Sequence, residues 1–177
     1  MNLPSITRAY LAGMTDGEGY IGITLVRKGE KKHWGLEKDA TFRAEINITS
    51  TNKSIIKWIG SLCDGYVDGR DHSQPNRKRS YAWEARKTNQ CASFLKLVYP
   101  YLKIKKPQAD VLLRFLQTFN EPRKRRGIVR GKPTVSEAIH DKRAQLYMRI
   151  RELNMRGTNR NALETTRQEI LSLGFKI

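Results

Sequence analysis

In two segments in the first third of this chain, largely apolar positions alternate with largely polar ones, and this alternation constrains the fold most. Over residues 20–28, Ile21, Ile23 and Leu25 share one side, and the same period returns over residues 41–49. A period of two places successive side chains on opposite faces of a β-strand. Both segments therefore predict half-buried strands, antiparallel to each other, which give a sheet with one apolar face and one polar face.

Helical spacing of apolar residues surrounds the predicted strands. A helix opens at Pro4 and Ser5 and is expected to stop at Gly17 and Gly19. The further predictions are a helix capped by Asn52, strands at 66–70 and 80–86, and helices at 89–97, after Pro107, at 136–153 and at 162–173. The order αββαββα, followed by additional C-terminal helices, predicts an α+β fold with a four-stranded antiparallel sheet. We expect one domain over residues 1–177, with a core at about 5–119 and an extension at about 120–177.

The charge of the chain points to a polyanionic partner. Lys and Arg number 34 against 17 Asp and Glu, a formal net charge of +17. Basic residues are concentrated in two places, residues 77–79 and residues 100–132. A single basic run is often only a solvated face, but two runs in so basic a chain favour nucleic acid.

Several classes of protein are excluded by composition. A hydrophobic fraction of 38% is too high for a disordered basic tail. No apolar run approaches the roughly 18 residues of a membrane-spanning helix, and the N-terminus has no secretory signal. Cys63 and Cys91 lack the CxxC spacing of zinc sites and are too few for a disulfide scaffold, so we expect a reducing, intracellular compartment.

Residues 11–19 read LAGMTDGEG, which resembles the LAGLIDADG signature of the homing endonucleases. The context agrees, because the motif lies where a helix runs into a strand and the αββαββα order is the core unit of that family. Small residues in the motif would let two such helices approach closely. A single copy of the motif implies the homodimeric, group I intron-encoded type, in which two chains supply the two motif helices.

The resemblance implies a metal-dependent nuclease site. Glu18 occupies the metal-binding acidic position, with the Gly17 carbonyl as a second ligand, and Mg²⁺ is the expected ion, replaceable by Mn²⁺ or Ca²⁺. Lys105 resembles the catalytic lysine, with Lys103 as its neighbouring candidate. Where some members have Gln, this chain has Ser50, which we assign to water positioning.

Two further residues complete that assignment. Asn52 is the alternative to Ser50 for water positioning, and Asp16 is expected to serve structure at the helix end rather than metal binding. The residues expected at the dimer interface are Leu11, Ala12, Gly13 and Asp16.

The polar face of the sheet is the expected DNA-binding surface, because its side chains can read base edges in a major groove. The DNA-binding residues predicted in this way are Thr24, Val26, Lys28, Arg43, Glu45, Asn47, Asp68, Arg70, Ser80, Ala82 and Glu84. The two basic runs add Arg79 and Lys103.

The resemblance implies an enzyme that makes a double-strand break in a pseudo-palindromic DNA site of about 20 base pairs and leaves short 3′ overhangs. The break would promote intron homing, in an organelle or a microbial cytoplasm. An intron RNA maturase or a non-cleaving DNA-binding regulator with the same fold is the alternative. The target sequence, the host, any coexisting maturase activity and the role of the C-terminal extension stay open at this point.

Overall fold

The structure is a computed structural model that describes residues 3–27, 40–70, 78–121, 135–155 and 160–177. The helices are α1 (Ser5–Glu18), α2 (Lys53–Leu62), α3 (Thr88–Val98), α4 (Lys106–Gln117), α5 (Glu137–Asn154) and α6 (Arg160–Ser172), with a short 3₁₀ helix at Tyr99–Tyr101. The strands are β1 (Gly19–Arg27), β2 (Ala40–Ser50), β3 (Tyr66–Arg70) and β4 (Ser80–Ala85). Within these ranges, none of the helices combines the length and the apolar character needed to cross a membrane.

The element order confirms the predicted αββαββα core and the α+β class. The four strands form one sheet in the order β1-β2-β4-β3, and β4 pairs antiparallel with both β2 and β3. The register places Ile48 beside Trp83 and Trp83 beside Val67 on one face, and Asn47 beside Glu84 on the other.

The end of α1 agrees with the expectation at Gly19 and differs from it at Gly17. The helix continues through Gly17 and Glu18, and Gly19 is its C-cap, with a backbone N–H that donates to the carbonyl of Thr15. The backbone of Gly19 is extended, so the chain passes directly into β1. A Cβ on Gly19 would lie 2.6 Å from the Thr15 carbonyl oxygen, so this close passage requires glycine.

Contacts between residues divide the chain into two compact units: Met1–Ile21 with Ala44–Asp110, and Gly22–Arg43 with Val111–Ile177. In the first unit, Trp83 is fully buried and its ring lies 4.6 Å from that of Phe94. The indole N–H of Trp83 donates to the carbonyl of Cys63 at 3.3 Å, which satisfies the polar atom that burial removes from water.

The second unit has an aromatic core of its own. The Phe42 ring lies 5.4 Å from Tyr147 and 5.0 Å from Phe175, so β2 packs against α5 and the C-terminal segment. Arg143, only 5% exposed, donates to the hydroxyl and the carbonyl of Thr118. The C-terminal helices are thus packed elements of this unit.

Helix α2 begins with a side-chain cap, and a substitution there tests this local structure. The Asn52 side-chain oxygen accepts hydrogen bonds from the N–H groups of Ser54 at 3.0 Å and Ile55 at 3.3 Å. We expect Asn52→Ala to lower the free energy of unfolding by about 1 kcal/mol, because these N–H groups lose their partner. Urea titration followed by circular dichroism measures this loss. Thr51→Ala, at the exposed neighbouring position, is the control, and an equal loss in both variants would contradict the capping role.

Candidate active site

The end of α1 is tied to the loop that follows the 3₁₀ helix by the carboxylate of Asp16. Its two oxygens accept hydrogen bonds from the backbone N–H of Lys103 and that of Lys105, both at 2.8 Å. The ammonium of Lys105 in turn donates to the backbone carbonyl of Asp16. We call these bonds the Asp16 clasp. They bring the predicted catalytic lysine next to the motif helix, and they give Asp16 the structural role that the sequence predicted.

The electrostatics of Asp16 reflect this arrangement. Partial burial acts to raise the pKa of its carboxyl, but hydrogen bonds from the backbone N–H groups of Lys103, Lys105 and Ile104, together with the positive charge of Lys105, outweigh burial. The pKa of Asp16 therefore lies below its ordinary value, and the ionised form is the one that holds the loop.

Glu18 is exposed at the last position of α1, and Gly17 beside it is exposed too. The C-terminal end of a helix carries partial negative charge and carbonyl groups without intrahelical partners, which favour a bound cation. A carboxylate added there gives an all-oxygen donor set of the kind that Mg²⁺ and Ca²⁺ prefer. The residues present therefore fit a divalent ion. The described part of the chain contains no group of three or more His, Cys, Asp or Glu arranged to hold a metal.

The two candidates for water positioning lie together at the end of β2. The Ser50 hydroxyl is half-buried and accepts the N–H of Asn52 at 3.1 Å. The side-chain oxygen of Asn52 is occupied as the cap of α2. Ser50 keeps a hydroxyl proton to donate and Asn52 keeps the two protons of its amide nitrogen, so either side chain can still donate to a water molecule.

The predicted DNA-binding residues fall into groups. Along β2, half-buried Arg43, Glu45 and Asn47 alternate with buried apolar residues, as the sequence pattern predicted. Thr24 and Val26 are half-buried on β1; Asp68, Arg79 and Lys103 are exposed. Lys28, the side chain of Arg70, Arg77 and the basic residues 123–132 lie outside the described part.

On β4 the placement differs from the expectation of an accessible face. Ser80 is 8%, Ala82 0% and Glu84 5% exposed. β4 lies between β2 and β3, so neighbouring side chains cover it from both sides, and a period of two in one strand does not reveal this lateral cover. The carboxylate of Glu84 instead contacts the guanidinium of Arg86, a residue that the alternation did not select.

The predicted dimer-interface residues differ in burial along α1. Leu11 and Ala12 are fully buried inside their own chain, and Asp16 is half-buried in the Asp16 clasp, whereas Gly13 is exposed. The outward residues of this helix are Ile6, 79% exposed, and Tyr10, 52% exposed, in line with Gly13 and Gly17. We call these four residues the α1 face. Helical spacing from Gly13 would have identified Ile6 and Tyr10 as its neighbours.

Comparison with solved structures identifies the fold. The homing endonuclease I-CvuI in complex with its DNA target in 2 mM Ca has a TM-score of 0.69 and 19% identity, over 98% of each chain; I-CvuI has also been solved with DNA in 2 mM Mg. The archaeal intron-encoded homing endonuclease I-Vdi141I, complexed with DNA, has a TM-score of 0.68 and 13% identity, over 96% of this chain and 97% of that one.

A third structure carries the family name. The LAGLIDADG homing endonuclease I-GzeII in complex with its DNA target has a TM-score of 0.60 and 14% identity, over 89% of this chain but 48% of that one. No protein-family model and no curated protein matches the sequence. The chain therefore has the LAGLIDADG homing endonuclease fold, which confirms the resemblance that the LAGMTDGEG motif predicted.

The Asp16 clasp predicts a specific dependence of stability on pH. Because the pKa of Asp16 is depressed in the folded state, its stabilising contribution is complete above the ordinary value of 3.8 and disappears as the pH falls through the lower folded-state value. We expect Asp16→Asn to melt at a lower temperature than the wild type at neutral pH, with a difference that narrows below about pH 4.

Thermal unfolding followed by circular dichroism between neutral and acidic pH makes the comparison. Lys103→Ala is the control, because it retains the backbone N–H that Asp16 accepts. A difference between Asp16→Asn and the wild type that stays constant down to the most acidic pH would show that the carboxylate charge does not hold the loop.

Proposed function

We propose that this chain is a homodimeric, metal-dependent homing endonuclease that makes a double-strand break in a long DNA site. The observation that carries the proposal is the position of Glu18 at the exposed end of α1, two residues from the carbonyl that binds the ammonium of Lys105. An acidic side chain and a fixed cation are thus held at the same end of α1, on a fold whose neighbours were solved with DNA. A single endonuclease domain over residues 1–177 is part of the proposal.

Each of these residues has a role in phosphodiester hydrolysis. In this reaction a water oxygen attacks phosphorus, the bond to the 3′ oxygen breaks, and the departing oxygen takes up a proton. A divalent cation bound by Glu18 and the Gly17 carbonyl would activate water and stabilise charge on the phosphate. Lys105 places a positive charge at the same end of α1 and stabilises the phosphoryl oxygens. Ser50 orients water through its hydroxyl.

The choice of Mg²⁺ rests on the donor atoms and on the neighbours. Both proposed ligand groups supply oxygen, and I-CvuI was solved with DNA in Mg and in Ca. Mn²⁺ and Ca²⁺ suit the same ligands. One chain supplies one Glu18, so two chains bring two carboxylates into one centre. Their mutual repulsion is relieved by cations, which couples metal binding to DNA binding.

The α1 face supports the dimer. Ile6 and Tyr10 expose apolar surface to water, and a Cβ added to Gly13 or Gly17 would meet no atom of the described residues within 4 Å. Nothing in the described part of the chain therefore requires glycine at these positions, whereas close approach of a second helix would. This chain covers 48% of I-GzeII, so one I-GzeII chain is about as long as two copies of this chain.

The length of the DNA site follows from the strands. β2 has 11 residues, and at about 3.3 Å per residue it spans about 36 Å, or about 11 base pairs. Two protomers related by a twofold axis then cover a pseudo-palindromic site of about 20 base pairs. We place the cuts across the minor groove at its centre, which leaves short 3′ overhangs, and we assign intron homing in an organelle or a microbial cytoplasm as the biological role.

Removal of the Glu18 charge tests the nuclease assignment. We expect Glu18→Gln to reduce the cleavage rate by at least about a hundredfold while binding of the site is retained, because a metal ligand is lost and the DNA-contacting sheet is unchanged. Nicking and linearisation of a plasmid that carries the flanking exon junction, with Mg²⁺ present, measure cleavage; gel-shift titration measures binding.

Glu164→Gln, a substitution at an exposed position of α6, is the matched control and should cut normally. Equal loss of cutting and binding in a folded Glu18→Gln protein would refute the metal-ligand role. Wild-type protein that binds the site but never cuts it would favour the maturase or the non-cleaving regulator.

The dimer has a test of its own. We expect Tyr10→Glu to produce monomers that fold but do not cut, because a buried charge opposes association through the α1 face. Sedimentation velocity measures the mass and circular dichroism the fold. Leu171→Glu, at an apolar α6 position that is 45% exposed, is the control and should sediment like the wild type. A Tyr10→Glu protein that sediments as a dimer would place the interface elsewhere.

A further inference from the structure

The buried acid on β4 points to a residue that the alternation of the strands did not reveal. Glu84 is 5% exposed, and one of its carboxylate oxygens lies 2.5 Å from a terminal nitrogen of the Arg86 guanidinium. The side chain of Arg86 is 43% exposed. A buried carboxylate therefore holds one side of a guanidinium of which much remains accessible to a ligand.

The backbone of Arg86 is fixed as well. The side-chain oxygen of Gln90, a residue that is only 3% exposed, accepts the N–H of Arg86 at 3.3 Å and that of Lys87 at 3.1 Å. The amide nitrogen of Gln90 donates to the Asp64 carboxylate at 3.2 Å. Arg86 is thus held at the backbone by Gln90 and at the guanidinium by Glu84, which leaves little conformational freedom to lose on binding.

The position of this pair relates it to the polar face of the sheet. The register places Glu84 between Asn47 of β2 and Tyr66 of β3, in the row of side chains assigned to DNA recognition. Arg86 directly follows Ala85, the last residue of β4, and its ion pair with Glu84 keeps the guanidinium beside this row. Tyr66 is 49% exposed, and the ammonium of Lys87 lies 5.7 Å from the centre of its ring.

The charges decide what such an arginine recognises. A paired Glu84 and Arg86 carry no net charge, so together they add little to the salt-dependent attraction of phosphates. A carboxylate beside a phosphate-binding arginine would weaken that contact. The same carboxylate favours a base contact, because recognition of a base edge depends on the direction of the planar donors rather than on charge.

We propose that Arg86 reads a guanine of the DNA target and that Glu84 is the positioning residue that sets the orientation of its guanidinium. The inference rests on the proposed function, since it requires sequence-specific DNA binding. A guanine offers two acceptors on its major-groove edge, which match the two parallel donors of the arginine fork. Lys87, the adjacent exposed cation, contributes charge rather than base recognition.

Selection of bound sequences from a randomised duplex library tests this pair. The wild type should select a site with guanine at one position of each half-site. In Arg86→Lys, which keeps the charge but loses the fork, the preference for that guanine should fall by about tenfold, with the salt dependence of binding unchanged. Glu84→Gln should weaken the same preference less. In the double variant, the preference for guanine should fall no further than in Arg86→Lys alone.

Lys87→Gln is the matched control: it should weaken binding to all sequences equally and lower the salt slope by about one. If Arg86→Lys does the same, or leaves the guanine preference intact, the assignment is wrong. If Glu84→Gln unfolds, as a thermal melt would show, Arg86→Lys decides alone. A folded wild type that selects no DNA sequence overturns the proposed function, which separates that failure from failure of the Arg86 assignment.

Discussion

The hydrogen bonds of the Asp16 clasp are the constraint on which the candidate active site depends. They join residues that lie 87 and 89 positions apart, so folding of the first unit brings Lys105 to the motif helix. A lysine on an untied loop would lose conformational entropy each time it met the substrate. Because the clasp uses backbone N–H groups, it fixes the course of the loop whatever side chains the loop carries. Its acidic residue therefore serves positioning, and under the proposed function Glu18 is the residue that binds the metal.

Much of the fold was predictable because its signals are local. Alternation and helical spacing located every strand and helix of the αββαββα core to within a few residues, and the Asn52 cap marked the start of α2. These patterns depend only on neighbours in sequence. Gly17 was misjudged as a helix end because a glycine permits a turn without requiring one, whereas Gly19, the second predicted stop, is the C-cap of α1.

The site was less predictable, since its features depend on contacts between distant segments. Nothing in the sequence connects Asp16 with Lys105, or shows that β2 and β3 cover Glu84 from both sides. The motif itself marks positions 11–19 without saying which side of the helix faces inward. Leu11 and Ala12 therefore stood with Gly13 as interface residues, although the structure buries them in their own chain.

The α1 face also bears on how such a protein would behave at low concentration. Within the described residues, a Cβ on either of its glycines would meet no atom within 4 Å, and we take assembly to follow folding as a separate equilibrium. Under the proposed dimer, when chains are scarce, the amount of active enzyme rises with the square of the chain concentration. At trace expression a host cell would then suffer few DNA breaks. Genome damage would become appreciable only above a threshold dosage of the chain.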